Sequence, residues 1–459
     1  MRKLTKVAAA AIVAISASAV GISPASAGST LNGGGSTFMQ NMQEKCISLY
    51  NGDSTFNGNS DVVSYSGVGS GTGKTNFANG TFKFGGTDSI YASGAPSNFV
   101  YVPLIAGALS VMYRLDGVTP ATETVRLSPL TVGKIFAGQI QMWNDPMIVA
   151  DNTAKTTPAV VKGTKAGVSV TIKKSGAKVT VTVKATAAAL KKFKGKGIVF
   201  AKTTAKKKTT KAGTAPALKA TLTQTFNYAK GDVYTVKVGT TSIAAVGVSP
   251  VISGTTLKIP AVPIRVAYRS GNSGTTNNFT SFLNKTVGSL WTKNASDSFT
   301  SAIPTGIPTN GTFQAASGSD GVANYVRDNN GSITYTEQSF ADERKSATIK
   351  SALIKNNAGI YVGPSSTGSS AFYAEAVVDV SGVVTPDYTV QAADAYMINA
   401  IAYGIASTTN NADNAAVKSY FDYFLGKCAP AAAATKGYAA LSGSILMKAL
   451  IQVGKIASV

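Results

Sequence analysis

Four short stretches of this 459-residue chain combine glycine, hydroxyl side chains and charge in a pattern suited to holding an anion. The first is Gly33-Gly34-Gly35-Ser36-Thr37-Phe38; Met39, Met42, Cys46 and Leu49 follow at helical spacing, which predicts a helix capped by Ser36 or Thr37. The second, Gly67-Val68-Gly69-Ser70-Gly71-Thr72-Gly73-Lys74, directly follows a predicted strand, Val62–Tyr65. The third, Phe82-Lys83-Phe84-Gly85-Gly86-Thr87-Asp88, reads as a short strand ending on an acid. The fourth, Tyr268-Arg269-Ser270-Gly271-Asn272-Ser273-Gly274-Thr275-Thr276, lies between a predicted strand, Ile264–Tyr268, and a predicted helix, Asn278–Leu283. Free N–H groups and dipole charge at helix starts attract anions. Hydroxyls add donors, Arg269 adds a bidentate cation and Asp88 adds an acceptor. Each turn alone is an ordinary cap with glycines for tight geometry. Together, three caps with one Arg and one Asp describe an anion site.

Much other chemistry is excluded. The second turn ends in Gly73-Lys74, but Val68 stands where a nucleotide-binding P-loop needs its first glycine. The chain contains no histidine, which removes a Ser-His triad, imidazole base chemistry and a His-ligated metal. Its two cysteines, Cys46 and Cys428, cannot build a thiolate metal cage. No catalytic residue, metal site or cofactor is expected.

The elements that must position these turns follow from composition and pattern. With 44% hydrophobic and 14% charged residues, the chain is globular and long enough for two or three domains. Strands and helices alternate outside residues 153–262, which predicts α/β layers. Inside that segment lie 20 Lys, no Arg and one acid, Asp232, so it carries +19 of the chain's formal +22. Val168, Val170 and Ile172, then Val179, Val181 and Val183, alternate with polar residues around Ser175-Gly176, which predicts a hairpin. A second hairpin is predicted through Leu222–Tyr228 and Val233–Val238, with short strands at Ser242–Val248 and Thr255–Ile259. Lys191–Lys211, with Lys206-Lys207-Lys208 at its centre, reads as an exposed loop. The segment is thus expected to be an all-β, sandwich-like module. Its lysines are either a solvated face or an attraction to an anionic polymer, such as a cell-wall polyanion. Without arginine and with few aromatics, sequence-specific nucleic-acid binding is not expected.

Residues 1–27 read as a signal peptide: Arg2, Lys3 and Lys6, an apolar run from Val7 to Val20, then Ala25-Ser26-Ala27. The run is too short to span a bilayer, no later run of transmembrane length exists, and no lipobox cysteine follows. An exported protein, periplasmic or at the cell surface, is expected. In such a chain two cysteines most simply form one disulfide, the alternative being two buried thiols.

The strings LNGGGSTF, YSGVGSGTG, FKFGGTDS and YRSGNSGTTNNFTSFL, in that order, resemble the phosphate-binding proteins of bacterial ABC-type phosphate uptake systems. LSPLTVGKIFAGQIQMWNDP (127–146), GSDGVANYVRDNNGSITYTE (318–337) and the late YFDYFLGKC extend the resemblance over almost the whole chain except 153–262. It implies an α/β, two-lobe periplasmic-binding-protein-like fold, with lobe one at 28–107 and 395–459 and lobe two at 108–152 and 263–394. The β module at 153–262 would be inserted in lobe two. Both cysteines would fall in lobe one, which favours a Cys46–Cys428 bridge. The resemblance further implies phosphate ligands at Thr37, Phe38, Ser70, Asp88, Arg269, Ser273, Gly274 and Thr275, with Asp88 accepting the proton of hydrogen phosphate. One position departs from the family: Gly271 stands where an acid is usual two residues after the arginine, and Asn272 where glycine is usual. The implied function is a non-enzymatic receptor that captures inorganic phosphate and delivers it to an ABC permease. The competing expectation is a cell-surface adhesion or scaffold protein working through its basic β module.

Overall fold

The structure is a computed structural model and describes residues 28–58, 60–153, 160–175, 178–203, 209–211, 216–227, 232–246 and 255–456. The expected signal peptide and Lys206-Lys207-Lys208 lie outside the described residues.

One mixed sheet runs through the α/β part. Its strands lie in the order Phe313–Ala316, Arg265–Arg269, Ser332–Glu337, Phe99–Arg114, Asn399–Ser407, Phe84–Thr87, Thr30–Gly35 and Val62–Gly67. The long central strand Phe99–Arg114 holds the two halves together. Its first half pairs antiparallel with Asn399–Ser407, and Leu109 to Tyr113 pair antiparallel with Glu337 to Ile333. Between its two end residues every position is buried. That is why it reads as an unbroken apolar run: both faces are covered and no polar alternation survives. On either side, the strands that end in the candidate turns are parallel to their neighbours: Thr30–Gly35 with Val62–Gly67 and Phe84–Thr87, and Arg265–Arg269 with Phe313–Ala316. Parallel pairing places the carboxyl ends of neighbouring strands together, where α/β sheets bind ligands.

Cys46 and Cys428 form a disulfide with an S–S distance of 2.10 Å across 382 residues of sequence. It ties the first helix, Gln40–Asn51, to the late helical segment Phe424–Cys428. Replacing both cysteines by serine is expected to cost about 2–5 kcal/mol, since the bridge closes a very long loop in the unfolded chain. Urea unfolding of wild type and of the double variant measures this. Mass spectrometry of alkylated, unreduced protein should find no labelled thiol.

The described residues between 160 and 246 form two four-stranded antiparallel sheets that share a core of Val168, Val170, Val181, Val183, Ile198, Phe200, Tyr234 and Val236. The first predicted hairpin forms, with Val168–Ser175 paired to Lys178–Ala185. The second does not. Thr221–Asn227 pairs with Lys178–Ala185 in one sheet, whereas Val233–Val238 pairs with Ile198–Thr203 and Thr241–Val246 in the other. The two strands therefore belong to different sheets, although sequence adjacency suggested a hairpin. Two further expectations are corrected. Lys191–Lys211 is not simply a loop, because the helix Ala187–Lys192 runs into it and the strand Ile198–Thr203 buries Ile198 and Phe200. Thr255–Ile259 forms no strand; Lys258 makes an isolated bridge to Thr119, outside the module. Asp232 is buried and pairs with Lys202 at 2.7 Å.

Candidate functional site

The site is built on helix starts and strand ends from both halves of the sheet. Thr30–Gly35 leads into a tight turn at Thr37–Met39, and the helix begins only at Gln40. Neither Ser36 nor Thr37 caps it, contrary to the sequence expectation. The Ser36 hydroxyl accepts from the Phe38 N–H at 3.1 Å and donates a very short hydrogen bond to Asp88. This diverts it from the helix.

The second turn does start a helix at its hydroxyl: Ser70–Ala78, reached through Gly69 at φ +91°. The fourth turn starts one earlier than expected. The helix runs from Gly274 to Thr286, and Ser273 caps it by accepting from the Thr276 N–H at 3.3 Å. The preceding strand ends on Arg269, so a cation and a helix start are separated by a few residues.

These turns converge on Asp88, which is buried directly after the strand Phe84–Thr87. Besides Ser36, Ser70 donates to its carboxylate at 3.5 Å and Thr275 at 3.4 Å. Its own N–H donates to Ser70 Oγ at 3.2 Å, and the Asn278 amide donates to its carbonyl at 2.6 Å. Arg269 Nη1 donates to Thr275 Oγ1 at 3.5 Å. Gly274 is required by this closeness: a Cβ there would lie 2.7 Å from both Asp88 Cβ and Ser70 Oγ. Thr37, Phe38, Ser70, Asp88, Arg269, Ser273 and Thr275 are all buried. The structure thus gathers Ser70, Asp88, Arg269, Gly274 and Thr275 into one contact network, with Ser273 at its helix cap. Thr37, next to Ser36, has its hydroxyl 3.1 Å from Ser319 Oγ at the start of the helix Gly318–Asp328.

The electrostatics are unusual for a carboxylate. Burial pushes Asp88 up to about 7, against the lowering effect of the Ser36 hydrogen bond and the Arg269 charge, and the Asp297 charge raises it further. Asp297 is thus a second carboxylate close enough for its charge to be felt at Asp88. Arg269 is 5% exposed, and burial lowers its pKa. Its Nε is buried with no hydrogen-bond partner among the described residues. At Gly271 an added Cβ would meet nothing within 4 Å, so the position of the missing acid is open space. An unpaired guanidinium N–H beside helix starts and hydroxyls is a donor set made for an oxyanion. Among the described residues no group of three or more His, Cys, Asp or Glu is placed to hold a metal, and no helix is long and apolar enough to cross a membrane.

Four contributors were not singled out as ligands from sequence: Ser36, Asn278, Ser319 and Asp297. Ser36 and Ser319 lay inside strings already noted, next to glycines. Asn278 lies one helical turn beyond Gly274. Asp297, in the run Asn294-Ala295-Ser296-Asp297-Ser298, carries no local signal; only packing across the cleft brings it near.

The same arrangement of halves occurs in known proteins. A family model described as a PBP superfamily domain matches residues 22–173 and 148–427. The phosphate-binding protein PstS 3 of Mycobacterium leprae is 23% identical over 349 residues, 74% of this chain and 62% of the relative. The phosphate-binding protein PstS 2 of Mycobacterium tuberculosis is 23% identical over 68% of this chain and 55% of its own length. The chain thus spans roughly three-fifths of the curated relatives it matches. A high-affinity periplasmic phosphate-binding protein (PfluDING) solved with phosphate superposes with a TM-score of 0.54 at 19% identity, covering 91% of this chain and 92% of that one. A phosphate-binding protein from Stenotrophomonas maltophilia gives 0.52 at 14% identity, covering 92% and 93%. With a superfamily match across most of its length, this chain belongs to the PBP superfamily.

Proposed function

We propose that this protein is an exported receptor for inorganic phosphate that releases its ligand to an ABC-type permease. The observation that carries the reading is the buried convergence of the Arg269 guanidinium, the Ser70 and Gly274 helix starts and the Asp88 carboxylate. Thr37 and Phe38 at the first turn, Ser70, and Ser273, Gly274 and Thr275 at the third helix would supply neutral donors, and Arg269 the charge. Asp88 would accept the ligand's proton. Residues 28–107 with 395–459 would form one lobe and residues 108–152 with 263–394 the other, closing over the anion. The relatives' names as phosphate-binding proteins agree with this assignment. The site offers a ligand's oxygens several donors and one acceptor, which suits capture and release.

Calorimetry on the mature protein tests the reading. Phosphate should bind with a single site, and sulfate at least about 10⁴-fold more weakly, the discrimination open to a site that pairs a specific ligand hydrogen. Equal binding of both anions would sink it.

The lysine-rich module lies outside this reading, since no proposed ligand falls in 153–262. Removing about 155–260 and closing the gap with a short turn should leave phosphate affinity within a few-fold. A hundredfold loss would mean that the module helps to build the cleft. Its exposed lysines, among them Lys165, Lys173, Lys178, Lys184, Lys191, Lys192, Lys194 and Lys196, suit an anionic envelope polymer as a second partner. Retention on such a polymer should vanish with the module and fall steeply with salt.

A further inference from the structure

We propose that Lys74 and Asp297 form a latch that positions the two anion-binding turns against each other across the cleft and slows release of the ligand; this rests on the phosphate reading above.

Lys74 is the residue that ends the glycine-rich second turn, and it has no place in the anion site. It lies on the helix Ser70–Ala78, is 8% exposed, and its ammonium has three partners. Two belong to the same half of the sheet: Ser89 Oγ and the Ile90 carbonyl, each at 3.0 Å. The third is Asp297 Oδ2 at 2.9 Å, which comes from the other half, between the helices Gly274–Thr286 and Phe299–Ala302. A lysine reaching that far into a protein is retained at a desolvation cost, so its partners carry an argument about position.

Asp297 is bound to the opposite turn by a different set of contacts. Its carbonyl accepts from the Ser273 N–H at 2.9 Å, and its Oδ1 accepts from the Asn277 amide at 2.9 Å. Its Oδ2 takes Lys74 and also the Ser89 hydroxyl, at 3.0 Å. One residue therefore holds the cap of the Gly274 helix with its carbonyl, the first turn of that helix with Oδ1, and Lys74 on the Ser70 helix with Oδ2. Nearby, the Gly71 N–H donates to the Asn272 carbonyl at 3.2 Å. The two turns touch along this line, and only one pair there carries full charges of opposite sign.

The pair is shielded, with side chains 10% and 18% exposed, so salt screens it little and its attraction is stronger than at a surface. If the halves separate, Lys74 keeps Ser89 and Ile90, and Asp297 keeps Asn277 and the Ser273 N–H. Lost are the Lys74–Asp297 pair, the Ser89 bond to the same carboxylate and the neutral contacts of the facing turns, and within this set the lysine–carboxylate pair is the charged one beside the second turn. The interaction therefore belongs to the closed arrangement, and its effect falls on release more than on capture.

The experiment uses the mature full chain. Calorimetry gives phosphate affinity, and a chase of radiolabelled phosphate gives the release rate, for wild type, Asp297→Asn, Lys74→Met, the double variant and Lys74→Arg. Both single variants should release phosphate roughly 30-fold or more faster, with little change in association. The double variant should be no worse than the worse single, because both remove the same pair. Lys74→Arg, which can still reach a carboxylate, should stay close to wild type, which a general packing role for the lysine stem does not predict. Wild-type release rates in Asp297→Asn and Lys74→Met would overturn the latch while leaving phosphate binding intact. Should wild type bind no phosphate, the receptor reading fails by itself. The latch is then judged by small-angle scattering, where Lys74→Met should have the larger radius of gyration and an equal radius overturns it.

Discussion

Arg269→Ala is expected to weaken phosphate binding by about 10²- to 10³-fold, the loss typical of removing one partner of a desolvated, charge-assisted contact. The guanidinium sits at the end of the strand Arg265–Arg269, 5% exposed, with Thr275 Oγ1 on Nη1 and no partner on Nε among the described residues. A buried N–H without an acceptor is costly until an oxyanion supplies one. That same orphan state makes the ligand the natural partner. Arg269→Lys should recover little, because an ammonium cannot present the planar fork. Since Arg269 is enclosed, raising ionic strength should weaken wild-type binding far less than the mutation does. Calorimetry on both variants at low and high salt checks the whole set. An alanine variant with near-wild-type affinity would remove Arg269 from the site.

The contact network around Asp88 was legible in the sequence to the extent that its parts are local. Glycine before hydroxyl, strand before turn and Arg269 a few residues before Ser273 are short-range signals, and Ser70, Arg269, Ser273 and Gly274 are all buried. Helix boundaries were less legible. Ser36 looks like a cap because it precedes an apolar helical pattern, yet its hydroxyl is claimed by Asp88, 52 residues away. The Gly274 helix begins at its cap, but its first turn, Gly274-Thr275-Thr276-Asn277, is too polar to extend the apolar pattern, so periodicity alone delays its start. Non-local pairing was legible only where the two cysteines and the family resemblance marked it, at Cys46–Cys428. Thr221–Asn227 and Val233–Val238 sit together in sequence but pair in different sheets, meeting face to face through Phe226 and Tyr234 rather than edge to edge. Asp297 belongs to the same class: nothing in its neighbours marks it, and its role comes from Lys74, 223 residues earlier.

Selectivity should depend on Asp88 and on pH together. Its carboxyl is buried among Ser36, Ser70 and Thr275, and burial raises its pKa to about 7. Above that value it is a carboxylate that can only accept, so it pairs with the hydrogen of a protonated phosphate and confronts sulfate with lone pairs against lone pairs. Below it the carboxyl carries its own proton and can donate, which sulfate tolerates. The sign follows: the phosphate-to-sulfate affinity ratio should be high at pH 8.5 and should fall as pH drops through about 7 toward 5. Asp88→Asn fixes the donating form at every pH. Its ratio should be low throughout and should change with pH only as phosphate itself titrates, so the variant serves as the control for the ligand's own ionisation. Competition calorimetry of phosphate and sulfate on both proteins at these pH values measures the difference. If Asp88→Asn keeps the wild-type ratio at pH 8.5, Asp88 does not read the ligand's proton, and discrimination must then reside in the spacing of the neutral donors around Arg269.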